Sequence, residues 1–309
     1  MRILVTGGAG FIGSHVVDAY IEAGHDVVVV DNLVTGKRTN VHPQARFYEV
    51  DIRDEEAMRR IFADEKPDIV NHQAALANVR ESMEKPREYA EVNILGSIVL
   101  LELSRQFGVR KFIYASTGGA VYGEPQFLPV TEDHPINPLD NYGASKHAVE
   151  HYCYLYKANY GLDYTVLRYP NVYGPRQDPL GEAGVIAIFT GRMLRGEACI
   201  INGSGEQQRD FVYVGDVAWA NVLALDKGSG EIYNLGWGRG VDINSLFRQL
   251  ASVVGYTREP VYGPPKLGEV FRIYLDARKA REELGWVPCV PLDEGLERTV
   301  AYFREQEGR

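Results

Sequence analysis

The octet Thr6-Gly7-Gly8-Ala9-Gly10-Phe11-Ile12-Gly13 constrains this chain more than any other stretch. Three β-forming residues, Ile3-Leu4-Val5, precede it. A segment with Ile12, Val16, Ala19, Tyr20 and Ala23 on one helical face follows, and Gly24 stops it. The next run, Val27-Val28-Val29-Val30, reads as a strand that closes in Asp31. Glycines between a strand and a helix allow a tight turn and bring the backbone close to a pyrophosphate, whose charge faces the helix N-terminus. Gly7, Gly10, Phe11, Ile12 and Gly13 are therefore candidate dinucleotide contacts. Asp31 can accept from both ribose hydroxyls. A carboxylate there repels a 2'-phosphate, and no arginine follows directly in Asn32-Leu33, so the pattern favours NAD over NADP.

The alternation continues through Arg46 to Val50, a helix over Glu55 to Ala63, Ile69-Val70-Asn71, a long helix over Tyr89 to Phe107, and Phe112-Ile113-Tyr114-Ala115. A helix around Tyr142 and the run Thr165-Val166-Leu167 complete it. Repeated strand-helix units predict an α/β fold, a Rossmann-type doubly wound parallel sheet with both faces covered and ligands at the carboxyl ends of the strands. Those ends carry Gly7, Asp31, Asp51-Ile52, His72-Gln73-Ala74-Ala75 and Ser116-Thr117. After Arg168 prolines and glycines break the pattern, predicting a smaller α/β substrate-binding domain over about 169–212 plus 239–309. Val214 to Ala224 and Ile232-Tyr233-Asn234-Leu235 read as a helix and strand returning to the first sheet. The dinucleotide domain then comprises 1–168 plus about 213–238, and further helices are expected near Asn244 to Val254, Ala277 to Leu284 and Leu292 to Glu305.

Tyr142 and Lys146 stand four apart on a helix that Asp140 or Asn141 can cap and Gly161 can close, with Ala148, Tyr152, Leu155 and Tyr156 as its apolar stripe. Four residues place a phenol and an ammonium on one face. Lowering a tyrosine pKa by about three units costs roughly 4 kcal/mol. One ammonium ~5 Å away at an effective dielectric of about 20 supplies roughly 3 kcal/mol of that. A second fixed positive charge, such as an oxidised nicotinamide ring, supplies the rest. The pair is the candidate catalytic centre.

A net charge of -9 and the lack of long basic runs argue against nucleic-acid and membrane surfaces and for a small-molecule ligand. No apolar run approaches the roughly 20 residues of a membrane span, and no signal peptide is recognised. The scattered Cys153, Cys199 and Cys289 fit no metal spacing and read as reduced thiols of a cytoplasmic protein. His147-Ala148-Val149-Glu150-His151 imitates a zinc-protease pattern. On a helix His147 lies about 100° from Lys146, and no further ligand follows, so no metal is expected. Among the basic residues in loop-like parts of the second half, Arg176, Arg209, Lys266 and Arg272, Arg209 is the foremost candidate for a diphosphate, which arginine forks suit.

From end to end the chain resembles the extended short-chain dehydrogenases/reductases, and among them the UDP-glucose 4-epimerases. The residues that carry the resemblance are the glycine octet, Asp31-Asn32-Leu33, His72 to Ala75, Asn93-Ile94-Leu95-Gly96, Ser116-Thr117 before Val121-Tyr122-Gly123, Tyr142 with Lys146, Arg168 to Pro175, and Arg209-Asp210. The resemblance implies NAD held further by Asn32, Asp51, Ile52, Gln73, Ala74, Ala75, Asn93, Ala115, Tyr142, Lys146, Tyr169 and Val172. It implies that Tyr142 takes the sugar 4-hydroxyl proton, that Lys146 holds the nicotinamide ribose, and that Thr117 relays or orients the proton, with Ser116 in reserve. The UDP-sugar would meet Thr117, Tyr142, Asn171, Arg176, Arg209, Lys266 and Glu269. A homodimer through a four-helix bundle, formed by the helices near Tyr89 to Phe107 and Tyr142 to Asn159, is implied as well.

The loop Gly118-Gly119-Ala120 is one residue longer than the common spacing, and counting from the strand puts Thr117 at the hydroxyl position. Lys266 and Glu269 stand where many relatives have Arg and Asp, so a point charge replaces a fork. Ile273 falls in the region that bounds the sugar pocket. Sister dehydratases carry an Asp-Glu pair after the threonine, where this chain has Gly118 and Gly119. UDP-glucose with UDP-galactose is the expected substrate pair. UDP-glucuronate, for which Arg176 offers a carboxylate partner, and UDP-N-acetylglucosamine are the alternatives.

Overall fold

Valine-rich runs that are apolar on both faces can be buried only in a sheet covered on both sides. The structure, a computed structural model, describes residues 1–179, 184–265 and 270–308. Its first half runs β1 (Arg2–Thr6), α1 (Phe11–Glu22), β2 (Asp26–Asp31), β3 (Arg46–Glu49), α2 (Glu55–Glu65), β4 (Ile69–His72), α3 (Val79–Glu84) and α4 (Pro86–Tyr89). A π-helical turn, Ala90–Leu95, leads into α5 (Gly96–Gln106), β5 (Lys111–Thr117), α6 (Asn141–Tyr160) and β6 (Asp163–Tyr169). The second half runs β7 (Asn171–Tyr173), α7 (Val185–Leu194), β8 (Ile200–Asn202), β9 (Gln208–Arg209), β10 (Phe211–Tyr213), α8 (Val214–Leu223) and β11 (Glu231–Asn234). It ends with β12 (Val241–Asp242), α9 (Ile243–Val254), β13 (Val261–Gly263), β14 (Arg272–Ile273) and α10 (Leu292–Gln306).

Seven parallel strands form one sheet in the order β11-β6-β5-β4-β1-β2-β3. The order reverses between β1 and β4, which opens a crevice at their carboxyl ends where doubly wound sheets bind ligands. One face packs α1 and α8 over Val5, Val29 and Leu167; the other packs α2, α5 and α6 over Leu4, Val70 and Phe112. The returning helix and strand read from the sequence are α8 and β11, and β11 pairs with β6. Three small sheets, β10-β7, β12-β9-β14 and β13-β8, lie in the second half. There α7, α9 and α10 bury Ile186, Phe189, Leu246, Phe247, Leu296 and Val300 in a separate core. Among the described residues no helix is long and apolar enough to cross a membrane.

Several elements depart from the sequence reading. The helix expected over Tyr89 to Phe107 begins earlier, at Pro86, and passes through the π turn; α3 and α7 were not foreseen. On α6 the face turned to the sheet is Lys146, Val149, Glu150 and Cys153, all buried, while Leu155 is 36% exposed. Two charged residues occupy the core face because each finds a buried partner, so apolar residues alone misplace the stripe.

Candidate active site

The cofactor end of the crevice is built by backbone. Gly7 has φ 70°, and a Cβ there would stand 2.6 Å from the nitrogen of Ala74. On Gly13 a Cβ would meet the Gly7 carbonyl oxygen at 2.1 Å. Only glycine lets strand, turn and helix close to this distance. No side chain caps α1, and its first turn carries no acid, so the N–H groups of Phe11, Ile12 and Gly13 present the positive end of the helix to an anion. Asp31 is buried at the end of β2, with Oδ2 accepting from Ala9 N at 3.0 Å and Oδ1 from Leu33 N at 2.9 Å. Each oxygen keeps a lone pair for a ribose hydroxyl. Asn32 donates to Asp51 at 3.0 Å; Asp51 is also bound by Arg53, which holds its carboxyl down at about 2, and Ile52 packs against Gly96. A crevice with these close approaches and this acid fits NAD.

Several expected cofactor residues are committed to protein partners. Gln73 Nε2 donates to Asn71 at 2.6 Å and to the Tyr169 hydroxyl at 3.0 Å, and Asn221 donates to the same hydroxyl at 2.9 Å. The polar ends of Gln73 and Tyr169 thus close a cluster between sheet and α8. Their remaining surface, with Ala74, Ala75 and Val172, is what the crevice can use. Asn93, in the π turn, accepts from Leu76 N at 2.9 Å and donates to Ser145 at 2.9 Å, tying the strap after β4 to the catalytic helix. His72 is buried between Thr6 Oγ1 at 2.7 Å and Ser97 Oγ at 2.8 Å, and burial keeps it neutral. It is a strut beneath the crevice.

At the catalytic end Asp140 caps α6 by accepting from Gly143 N at 2.7 Å, and Gly161, at φ 75°, closes it. The Thr117 hydroxyl, at the end of β5, is near enough to the Tyr142 phenol to act on its titration. Lys146 Nζ donates to the Ala115 carbonyl at 2.8 Å and lies 5.0 Å from the Tyr114 ring centroid. Burial pushes the phenol of Tyr142 up, with Thr117 pulling it back, and burial lowers Lys146 to about 7, with Glu150 opposing. Desolvation, which the spacing of Tyr142 and Lys146 does not reveal, disfavours the charged form of each. Ser116 does not join Tyr142: its hydroxyl donates to Glu150 at 2.5 Å. Glu150 in turn receives Arg168 at 2.9 and 2.6 Å, so the acid of the zinc-like pattern is occupied.

On the sugar side, a Cβ on Gly119 would be 3.8 Å from Thr117 Oγ1 and 4.0 Å from Asn171 Oδ1, so these residues share one open space. Gly118 is closed, since a Cβ there would strike Leu275 Cδ1 at 2.3 Å. Ile273 is buried with Val121, Tyr122, Val130 and Leu275. Arg209 lies on β9, its Nη1 donating to the carbonyls of Gln208 at 2.8 Å and Phe271 at 3.3 Å. Arg176, at φ 67°, reaches back to α1 and pairs with Asp18 at 2.7 Å. Lys266 and Glu269 lie outside the described residues. The Glu150–Arg168 pair was missed in the sequence, although Glu150 stands four residues after Lys146 on the same face.

The family model described as NAD dependent epimerase/dehydratase family matches residues 3–236. A curated relative, a putative UDP-glucose 4-epimerase of Methanocaldococcus jannaschii, is 52% identical over 303 residues, covering 98% of each chain. The solved UDP-glucose 4-epimerase of Thermotoga maritima with UDP-glucose is 55% identical at a TM-score of 0.98, covering 99% of this chain and 100% of that one. The Thermus thermophilus UDP-glucose 4-epimerase in complex with NAD is 47% identical at a TM-score of 0.94, covering 98% of this chain and 99% of that one.

Proposed function

This chain belongs to the NAD-dependent epimerase/dehydratase family, and from that premise we propose that it interconverts UDP-glucose and UDP-galactose by oxidation at C4, rotation of the 4-keto sugar and re-reduction. The observation that carries the reading is the open space at Gly119, bounded by the Thr117 hydroxyl at 3.8 Å and Asn171 Oδ1 at 4.0 Å, next to the Tyr142 phenol on which Thr117 acts, with Lys146 one helical turn behind. Tyr142 takes the proton of the sugar 4-hydroxyl and later returns it. Thr117 orients that hydroxyl, and Lys146 holds the ribose next to the phenol. NAD bound at the glycine turn supplies the hydride acceptor and, after the sugar turns over, the donor, and it stays bound.

The nucleotide diphosphate lies against the second domain, residues 169–212 plus 239–309, with Asn171, Arg209 and the stretch holding Lys266 and Glu269 as its contacts. Gly119 gives the ring room to turn, and no acid follows Thr117 to eliminate water. Arg176 pairs with Asp18 through Nη2, which supports a neutral sugar over glucuronate. Leu95 and Tyr154 are each 56% exposed and Tyr160 is 59% exposed, which supports a homodimer through a four-helix bundle of α5 and α6. The enzyme works in the cytoplasm, in galactose metabolism.

The test is to incubate the purified protein, without added cofactor, with UDP-galactose and separately with UDP-glucuronate and UDP-N-acetylglucosamine, and to identify products by NMR. A mixture of UDP-glucose and UDP-galactose without net NADH is expected. Turnover of UDP-glucuronate or the N-acetyl sugar alone would refute the substrate assignment, and no reaction even with added NAD would refute the epimerase reading.

A further inference from the structure

The catalytic helix buries one more charge on the Tyr142–Lys146 face. Glu150 follows Lys146 by four residues, which puts the two Cβ atoms about 5–6 Å apart. It is 3% exposed, as is Lys146. Its carboxylate is fully engaged. Oε1 accepts from Ser116 and from Arg168 Nε at 2.9 Å, and Oε2 accepts from Arg168 Nη2 at 2.6 Å and faces His147 Nδ1 at 3.1 Å. Burial works to raise Glu150, but Arg168, His147 and Ser116 hold it at about 2, so it stays ionised.

The surroundings of Lys146 make that charge matter. From β5 come the Ala115 carbonyl and the Tyr114 ring; from β4 comes neutral His72. From α6 come Tyr142, with Asp140 beyond it, and Glu150; Cys153 sits by Tyr114, and Arg168 on β6 reaches the cluster through Glu150. Glu150 is the charged group that opposes the effect of burial on the amine. We propose that Glu150 is a positioning residue of the reaction: locked by Arg168 and Ser116, its carboxylate keeps Lys146 cationic beside Tyr142. Ser116 then acts through Glu150 rather than on the sugar. A strut that merely ties α6 to β6 would change stability and leave the amine's titration where it is.

The decisive measurement is the pH titration of the Lys146 Cε chemical shift in 13C-lysine-labelled protein, assigned with Lys146→Met. Glu150→Gln is expected to lower the midpoint by about one pH unit, while Glu150→Asp keeps most of it. Because Glu150→Gln strands a buried guanidinium and can unfold the chain, the double variant Glu150→Gln/Arg168→Met, with no orphaned charge, is measured alongside and should also titrate lower. An unchanged midpoint in the folded variants overturns the proposal. Its kinetic arm rests on the 4-epimerase reading: the alkaline limb of the UDP-galactose rate profile should move down with the midpoint. If the wild type does not epimerise but the midpoint moves, the substrate reading fails and the electrostatic role stands; if it epimerises and the midpoint stays, the reverse holds.

Discussion

Ser116 and Thr117 are consecutive at the end of β5, yet their hydroxyls serve different residues of α6: Ser116 donates to the carboxylate of Glu150, while Thr117 lies by the phenol of Tyr142 and pulls its titration down. Tyr142 and Glu150 stand eight residues, about two turns, apart on α6. One dipeptide therefore fixes the helix at its reactive turn and again two turns on.

The division of labour predicts different losses. Tyr142→Phe removes the proposed proton acceptor and should lower kcat by roughly 10²–10⁴ while bound NAD is retained. Thr117→Ala should lose activity without loss of fold, and Thr117→Ser should recover most of it. Steady-state rates with UDP-galactose, and NAD content by absorbance, check each variant. A Thr117→Ala enzyme with wild-type kcat would remove that hydroxyl from the mechanism.

Lys146 makes the cofactor-free protein sensitive to pH. Its amine has an ordinary value of 10.5 and is lowered by burial to about 7. Between those values the unfolded chain binds the extra proton, so stability rises with pH across that window, by at most about 1.4 kcal/mol per unit. Below about pH 7 the charged amine is buried in the folded state and the penalty is complete. Urea unfolding at pH 7, 8 and 9, on protein stripped of NAD, should show wild type gaining on Lys146→Met at each step. A constant difference between the two would place the amine's titration outside the window.

The cofactor half of the crevice was legible because its cause is local. Gly7 and Gly13 are required by contacts within a few residues and by one neighbouring strand, and Asp140 and Gly161 mark the ends of α6 by chemistry that needs no tertiary context. Legibility fails where partners come from afar. Gln73 and Tyr169 spend their polar ends on Asn71 and Asn221, and Arg176 turns to Asp18; no spacing rule announces any of these. The α7 run Val185 to Leu194 is apolar around most of its circumference, so it has no amphipathic period to read. Burial works against the charged forms of both Tyr142 and Lys146, which the sequence could not show, because it reveals which charges are near but not how much water is lost.

The glycine turn predicts a selective loss of cofactor. Gly13→Ala puts a Cβ 2.1 Å from the Gly7 carbonyl, so the turn and the start of α1 must separate. The N–H groups of Phe11 and Ile12 then leave the position that favours an anion. NAD released on denaturing the purified protein should drop from near-stoichiometric to a small fraction. An unchanged NAD content would mean that the turn yields without cost to binding.

Gly118 and Gly119 provide the sharpest contrast, since the same added methyl meets opposite surroundings. On Gly118 the Cβ would lie 2.3 Å from Leu275 Cδ1, and Leu275 is buried with Val121, Tyr122, Val130 and Ile273. Overpacking of that kind costs about 1–3 kcal/mol, so Gly118→Ala should unfold at lower urea with its kinetics per folded molecule nearly intact. On Gly119 the nearest atoms are the Thr117 hydroxyl at 3.8 Å and Asn171 Oδ1 at 4.0 Å, ordinary contact distances, so Gly119→Ala should unfold like wild type. On the proposed mechanism its methyl instead occupies the space in which the 4-keto sugar turns over. Epimerisation should fall while binding of UDP, which carries no hexose to rotate, is unaffected. Should Gly119→Ala keep full epimerase activity, the space beside Thr117 is not where the ring turns, and the sugar must be sought on another wall of the crevice.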